Sequence, residues 1–317
     1  MGVTSTQILA AANLAMIAYT DEADPLRQKA DIITALGALG SSANGPWTLT
    51  WGPADNDGVL AYVARGADGT YALAFRGSLT DDDSEGFFEN WLDDGSSLSL
   101  VPWLYPQSVG ANIATGNNAA LALAIGLTDP TTDAGLLDYL RTTASENGGS
   151  IVLAVCGHSL GAALANLAAA WIVDQLPKAP GVSATVTPFT FAAPTVGDQA
   201  FASLYNMLFG SSSYACINSQ DIVPMAWANL QGVQNSFGPT GQTLWQYSKV
   251  IWGLAETAKI ELGTTYVPIA PSNADVFVGP AIVATDDWPT DAANQHSMAN
   301  TYFPHVQSET SSAAVQV

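Results

Sequence analysis

The chain has 317 residues, of which 48% are hydrophobic and 11% are charged, so it carries enough apolar side chains for one large core. Its 28 Asp and Glu residues outnumber its 8 Lys and Arg residues, and the formal net charge of −20 excludes nucleic acid as a partner, because such a surface repels phosphates. The composition therefore favours a protein that acts on small molecules or neutral surfaces.

The chain shows no membrane-spanning or secretory pattern. No run reaches the roughly eighteen consecutive apolar residues of a transmembrane helix. The first twenty or so residues lack the basic start and cleavage site of a signal peptide. We expect a soluble protein without a transmembrane segment, and an extracellular location stays open if a signal was removed or a leaderless route is used.

The N-terminal third predicts two helices and then an antiparallel group of strands. Apolar spacing indicates helices over residues 5–18 and 25–36, the second ended by glycines. β-Branched and aromatic runs predict strands over residues 47–51, 59–65 and 71–76. The last two strands are joined by Ala67-Asp68-Gly69, which is typical of a hairpin turn.

Residues 79–95 follow the third strand and are rich in acids and aromatics. As a helix they would gather Phe87, Phe88, Trp91 and Leu92 into one apolar stripe, with the acids opposite. The stripe could simply pack on the core, but the flanking glycines and acidic clusters favour a mobile lid. Asp81-Asp82-Asp83 lacks the ligand spacing of a calcium loop, so we interpret it as a solvated hinge.

The rest of the chain alternates strands with helices. Residues 110–126 are rich in Ala and Asn, and no helix or strand is predicted for them. The predicted strands cover residues 151–156, 185–192 and 214–218, and the predicted helices cover residues 133–147, 160 to about 176, and 244–262. Because strands alternating with helices form parallel sheets through right-handed crossovers, we expect a mostly parallel sheet with helices on both faces. No linker divides the chain, so one domain over residues 1–317 is expected, with a helical insertion at about 240–265.

A nucleophile motif lies between the strand at 151–156 and the helix that follows. The sequence Gly157-His158-Ser159-Leu160-Gly161 matches Gly-x-Ser-x-Gly, a turn that holds a serine in a strained conformation at the start of a helix. Side chains at the two glycines would collide with neighbouring backbone. Ser159 is therefore the predicted nucleophile, and it requires a base.

The chain has only three histidines from which to choose that base. His158 is adjacent to Ser159 in the chain, so its side chain cannot turn back to accept the serine proton. His305 lies near the end of the chain and is interpreted as a tail residue. His296 lies after the last predicted core strand, on a loop leading into a helix, and is the preferred base. Asp221, just after the strand at 214–218, is the preferred acid; the competitor Asp198 starts a helix and is expected to cap it.

A serine hydrolase also needs two N–H donors for the oxyanion. Leu160, which follows the nucleophile at the helix start, supplies one. The second should come from the loop after the strand at 71–76, where Gly77 and Ser78 lie.

The two cysteines, Cys156 and Cys216, each lie on a predicted buried strand, and a third strand is expected between them. A separation of roughly 10 Å is too large for a disulfide. Two buried free thiols are predicted, neither of them catalytic.

Several ordered motifs together resemble the class 3, fungal-type lipases of the α/β-hydrolase fold. The resemblance covers about residues 71–302. It is carried by Phe75-Arg76-Gly77-Ser78 with Asn90-Trp91, the motif around Ser159, Phe189-Thr190-Phe191 with Pro194-Thr195-Val196-Gly197, Asp221-Ile222-Val223-Pro224, and His296.

The resemblance implies an α/β-hydrolase fold with a short helical lid and a triacylglycerol lipase or related carboxylesterase activity. It implies a Ser159, Asp221 and His296 triad, oxyanion donors at Ser78 and Leu160, a lid at about 79–95, and no cofactor or metal. Its substrate would be a lipid ester or a small-molecule ester, and a lipid substrate would be bound at a lipid–water interface. Phospholipase A1, feruloyl esterase and acyltransferase activities use the same acyl-enzyme and stay open, as does a non-catalytic binding module on the same fold.

Overall fold

The N-terminal helices begin where side chains cap them. In the computed structural model, which describes residues 2–79, 99–107, 110–225, 227–229, 265–280 and 288–314, helix α1 spans Ser5–Ile17 and α2 spans Pro25–Ala38. The Gln7 N–H donates to Thr4 Oγ1 and the Thr4 N–H donates to Gln7 Oε1, and together these bonds form a capping box. Asp24 caps α2, with Pro25 in its first turn. Both helices match their predictions to within two residues.

Seven strands form the central sheet. They are β1 (Thr48–Asn56), β2 (Val59–Arg65), β3 (Tyr71–Phe75), β6 (Ser150–His158), β7 (Ser183–Phe191), β8 (Tyr214–Asn218) and β9 (Ala274–Phe277), in the spatial order β1-β2-β3-β6-β7-β8-β9. The pairs β1–β2 and β2–β3 are antiparallel, and every pair from β3 to β9 is parallel. The predicted mostly parallel sheet is therefore confirmed.

The other elements lie around this sheet. A separate antiparallel pair joins β4 (Leu100–Pro102) to β5 (Asn112–Ala114). The helices are α3 (Thr115–Ile125), α4 (Leu136–Glu146), α5 (Leu160–Gln175), α6 (Gln199–Phe209), the single turn α7 (Ile222–Met225), α8 (Trp288–His296), a π-helix (Met298–Tyr302) and α9 (Phe303–Ala314). Short 3₁₀ turns cover Ser41–Ala43 and Leu176–Lys178. Among the described residues, no helix is both long and apolar enough to cross a bilayer.

Side chains of the sheet alternate between two cores. On β3, Tyr71, Leu73 and Phe75 join the core beneath α3 to α6, whereas Ala72 and Ala74 join the core beneath α1, α2 and α9. Buried helices on both faces require strands that are apolar on both sides. That requirement explains why the strand at 151–156 is a continuous apolar run, although the strand is not buried throughout, since Val152 near its start is 50% exposed.

Two boundaries differ from the sequence prediction by three residues or more, and one segment without a predicted element is ordered. β1 runs to Asn56 rather than ending at Trp51, because register shifts around Gly52-Pro53 absorb a pair of residues that normally breaks a strand. α4 begins at Leu136 rather than at 133, because Asp133 has a φ of 58°, which is incompatible with a helix. Residues 112–125, which had no predicted element, form β5 and α3.

Two predicted segments lie largely or wholly outside the described residues. The lid at 79–95, with Phe87, Phe88, Trp91 and Leu92, is described only at Leu79, and the insertion at 240–265 only at its last residue. The cysteine prediction is confirmed, since Cys156 on β6 and Cys216 on β8 are free and buried with β7 between them.

Candidate active site

The nucleophile motif forms a strand, a sharp turn and a helix, as the sequence predicts. β6 ends at His158, α5 begins at Leu160, and Ser159 between them has φ 58° and ψ −129°, a region that non-glycine residues rarely adopt. Its backbone N–H donates to the Phe191 carbonyl oxygen at 3.0 Å. The turn therefore holds the serine at the carboxyl edge of the sheet, directed away from both elements that carry it.

The two glycines of this motif are required by close backbone approaches. A Cβ on Gly157 would overlap the carbonyl of Gly161. A Cβ on Gly161 would lie 2.5 Å from the Phe75 oxygen and 2.9 Å from the Arg76 oxygen. Helix α5 therefore starts in contact with the end of β3, which brings the loop after β3 next to Ser159.

Three predicted residues lie in one hydrogen-bonded row. His296 Nε2 is 2.8 Å from Ser159 Oγ, and His296 Nδ1 is 2.7 Å from Asp221 Oδ2. Ser159 and His296 are each 6% exposed and Asp221 is fully buried. The distances match those of a nucleophile, its base and an orienting carboxylate.

His296 reaches this position differently from the prediction. It is the last residue of α8 rather than part of a loop, and Ser297 then caps the π-helix by accepting from the Asn300 N–H. The alternatives to these residues have other roles. Asp198 caps α6, accepting from the Phe201 N–H at 2.9 Å, as expected. His305 is not a tail residue; it lies on α9 and contacts Asp275.

Asp221 is surrounded by donors that the sequence analysis did not identify. Its Oδ1 accepts from the Val223 N–H at 2.9 Å, and its Oδ2 accepts from the Tyr302 hydroxyl at 2.7 Å. Burial and the Asp221 charge raise the pKa of Tyr302 well above its ordinary value, so the hydroxyl keeps its proton and donates. Asp221 therefore accepts hydrogen bonds from neutral donors besides its contact with His296.

Asn218, at the end of β8, connects the segments that carry Asp221 and His296. Its Nδ2 donates to the Gln295 side-chain oxygen at 2.7 Å and to the Gln295 carbonyl oxygen at 3.0 Å. Its Oδ1 accepts from the Gly279 N–H at 2.8 Å, and its N–H donates to Tyr302 Oη. Because Asn218 is fully buried, these bonds fix the position of Gln295 and hence of the adjacent His296.

His158, which the sequence analysis set aside, supports His296 from the backbone side. Its Nε2 is 2.7 Å from the His296 carbonyl oxygen and its Nδ1 is 2.7 Å from Tyr19 Oη. A carbonyl only accepts, so Nε2 carries the proton and Nδ1 accepts from the tyrosine. Burial, together with the neighbouring His296, holds the pKa of His158 well below its usual value and keeps the ring neutral.

The loop after β3 is held by Arg76. The guanidinium is 4% exposed and donates to Asp55 Oδ2 at 2.9 Å and to the Gly58 carbonyl at 3.2 Å. The next residue, Gly77, packs so tightly that a Cβ there would lie 2.7 Å from the His158 carbonyl and overlap the Tyr19 hydroxyl. Ser78 follows Gly77 on this loop and is exposed, and Leu160 directly follows Ser159 as the first residue of α5.

The fold has solved counterparts. M37 lipase superposes with a TM-score of 0.78 at 22% identity, over 96% of this chain and 92% of that one. A triacylglycerol lipase whose catalytic centre is formed by a serine protease triad superposes with a TM-score of 0.50 at 23% identity, over 71% of this chain and 76% of that one. The chain therefore has the α/β-hydrolase fold of these lipases.

Sequence relatives match a shorter segment. Phospholipase A1-IIgamma of Arabidopsis thaliana is 42% identical over 79 residues, and phospholipase A1-II 4 of Oryza sativa subsp. japonica is 44% identical over 72 residues. These matches span 19% and 18% of the plant proteins and about a quarter of this chain. The sequence model for lipase (class 3) matches residues 72–230, from the third strand through the nucleophile and Asp221. This match covers half of the chain, which therefore belongs to the class 3 lipase family.

Proposed function

We propose that the protein is a serine carboxylic-ester hydrolase that acts on neutral lipid esters through an acyl-enzyme. The observation that carries the proposal is the continuous row from Ser159 Oγ through His296 to Asp221, with distances of 2.8 and 2.7 Å. The row starts from a serine in the strained conformation of a nucleophile turn. Membership of the class 3 lipase family supports the same reaction class.

In the proposed first half-reaction, Ser159 Oγ attacks the ester carbonyl while His296 Nε2 takes its proton. Asp221 holds the Nδ1–H tautomer and stabilises the imidazolium. The tetrahedral oxyanion accepts from the backbone N–H groups of Leu160 and Ser78. His296 then returns the proton to the leaving alcohol, and the acyl group stays on Ser159.

In the second half-reaction, water takes the place of the alcohol. His296 removes a proton from the water, the oxygen adds to the acyl carbon, and the tetrahedral intermediate expels Ser159 Oγ, which recovers its proton. The residues named here need no cofactor, since the base, the acid and the oxyanion donors are all supplied by the chain.

Residues 79–95 are proposed as the lid over this site. The proposal rests on sequence, since Phe87, Phe88, Trp91 and Leu92 form an apolar stripe in a segment that begins directly after the oxyanion loop. Such a stripe covers the site in water and meets a lipid surface when open. Equal activity on one ester below and above its aggregation point would contradict this role.

We also propose that the whole chain forms one catalytic domain, with residues 240–265 as an insertion. The seven-stranded sheet supports this arrangement, since its strands come from residues 48 to 277. The segment that carries His296 adjoins the sheet through Asn218.

Phospholipase A1 activity is the second candidate. It is favoured by the plant relatives, which are more than 40% identical over their short matched segments. A net charge of −20 weakens contact with anionic phospholipid, although salt screens this repulsion. Zwitterionic phosphatidylcholine is therefore the informative phospholipid substrate.

The experiment compares p-nitrophenyl esters from butyrate to palmitate, a triacylglycerol emulsion and phosphatidylcholine vesicles. Long-chain and emulsion hydrolysis would establish a lipase, short-chain hydrolysis alone an esterase, and release of fatty acid from the sn-1 position of phosphatidylcholine a phospholipase A1. Ser159→Ala should lose all turnover, whereas Ser203→Ala, at an exposed position on α6, should retain it. Turnover by Ser159→Ala equal to that of the parent would overturn the assignment of Ser159 as nucleophile, and no turnover by the parent on any of these esters would favour a binding module.

A further inference from the structure

Three potential metal ligands converge beside the last two strands, and none of them is a residue proposed for catalysis. Cys216 on β8 is paired in register with Asp275 on β9, and His305 reaches the same place from α9. One ligand atom from each residue lies within 4.8 Å of the other two. Paired residues of neighbouring strands direct their side chains to the same face, which explains how a thiol and a carboxylate come together here.

We propose that Cys216, Asp275 and His305 form a binding site for a zinc ion, a site that is independent of the proposed esterase function. The protein ligands would be the Cys216 sulfur, one Asp275 carboxylate oxygen and His305 Nε2, with water in the fourth position. On binding, the thiol proton leaves for solvent and the sulfur–metal bond takes its place.

The distances suit a small tetrahedral ion. Metal–ligand bonds of about 2.0–2.3 Å separate neighbouring ligand atoms by about 3.3–3.7 Å in tetrahedral geometry. His305 Nε2 and Asp275 Oδ2 are 2.8 Å apart, and all three ligand atoms lie within 4.8 Å of one another. Small side-chain rotations therefore suffice to place one ion between them.

The surrounding residues hold two of the ligands in position. The His305 ring stacks on Phe277 with 3.8 Å between centroids and 4° between planes. The Tyr214 hydroxyl donates to Asp275 Oδ2 at 2.9 Å. An oriented imidazole and a carboxylate bonded from an outer residue are the usual supports of a protein metal site.

The donor set and its exposure select among metals. Calcium and magnesium require several oxygen ligands, and this site offers one carboxylate. Thiolate with imidazole and carboxylate favours zinc. The sulfur is buried with Cys216 at 1% exposure, whereas the side chains of Asp275 and His305 are 30% and 16% exposed, which gives an ion a route from solvent.

The alternative is that His305 and Asp275 form only a hydrogen-bonded ion pair. An ion pair explains their 2.8 Å contact and leaves the buried Cys216 side chain with the Tyr214 hydroxyl as its hydrogen-bond partner. The two interpretations differ in a measurable way, because only a metal site uses the sulfur.

The test is titration of the chelator-treated full chain with Zn²⁺ and, separately, with Co²⁺. We expect one zinc ion per chain and, with cobalt, a thiolate-to-metal charge-transfer band in the near ultraviolet. Cys216→Ser should lose this band, and the matched variant Cys156→Ser, which changes the other buried cysteine, should retain it. Tyr214→Phe should weaken binding by roughly 10–100-fold, and loss of a direct ligand by more.

Thermal unfolding provides a second measurement of zinc binding, which is needed if Cys216→Ser folds poorly. Zinc at about one hundred times its dissociation constant should raise the Tm of the parent by about 4 °C, and it should leave His305→Gln unchanged. Absence of stoichiometric zinc binding, or cobalt spectra that are the same in Cys216→Ser and the parent, would overturn the proposal. Esterase activity enters none of these measurements, so a failure here is distinct from a failure of the proposed function.

Discussion

Tyr19→Phe tests whether the hydrogen bonds behind His296, the proposed base, contribute to stability and activity. The Tyr19 hydroxyl donates to His158 Nδ1 at 2.7 Å, and His158 in turn donates to the His296 carbonyl. The variant keeps the aromatic ring and its edge-on contact with His158, at 5.7 Å between centroids, but removes the only oxygen that satisfies Nδ1 among the described contacts.

The expected loss of stability in Tyr19→Phe follows from the burial of His158. His158 is 4% exposed, so its unpaired nitrogen cannot be solvated in the folded state, and the free energy of unfolding should fall by about 1–3 kcal/mol. Because His158 is then free to tilt, the His296 carbonyl loses a fixed partner. We expect kcat to fall by about tenfold, equivalent to about 1.4 kcal/mol, with little change in KM.

The assay combines urea unfolding with hydrolysis of p-nitrophenyl butyrate. Tyr139→Phe is the matched control, since its hydroxyl donates to Thr50 Oγ1 at an exposed site and its loss should cost about 0.5 kcal/mol or less. If Tyr19→Phe unfolds at the same urea concentration as the parent and keeps its kcat within about twofold, the support we assign to His158 is wrong.

Three further predictions concern pH, close packing and the two aspartates. His158 stays neutral in the folded protein because its pKa is held well below the usual value, whereas in the unfolded chain it binds a proton below about pH 6.5. The free energy of unfolding should therefore be highest above about pH 6.5 and fall by up to about 1.4 kcal/mol per pH unit below it. Urea midpoints from pH 7 to pH 5 should show this slope, and an equal slope in His158→Gln would contradict it. Gly161→Ala forces a Cβ against the backbone of β3 and should destabilise the fold by at least about 1–3 kcal/mol. Gly37→Ala, at an exposed position of α2 with open space around it, should stabilise the fold by about 0.5–1 kcal/mol. Thermal melts of the two variants and the parent measure both effects. Asp221→Asn should lower kcat by about four orders of magnitude with the fold retained. Asp198→Ala should lower the free energy of unfolding by about 1 kcal/mol with kcat unchanged. A loss of kcat in Asp198→Ala but not in Asp221→Asn would show that Asp198 is the catalytic acid.

Local chemistry made much of this structure predictable. The turn at Ser159 depends on two glycines, a strand and a helix that are contiguous in sequence, so its geometry could be predicted from the motif alone. β2 and β8 have the predicted bounds because each is an apolar run enclosed by turn residues or polar residues. Asp198 was recognised as a helix cap because capping is also local.

The parts that could not be predicted depend on contacts between distant segments. Tyr19 is 139 residues from His158, and nothing near this half-buried tyrosine in the sequence indicates which group its hydroxyl will contact. β9 has four residues with alternating partial exposure, too few for a periodic signal. α3 has apolar residues on all sides, so no polar face marks it as a helix.

The support behind the site joins the two ends of the described chain, and this has a consequence for biosynthesis. Tyr19 follows α1, His296 ends α8, and α1 packs in the same core as Val306 of α9. A ribosome releases the N-terminal segment first, so α1 emerges before its C-terminal partners exist, and contacts this far apart in sequence form slowly. Hydrolytic competence should therefore appear only after the last helices have left the exit tunnel, and until then the nascent chain carries an uncovered apolar face that a chaperone could bind.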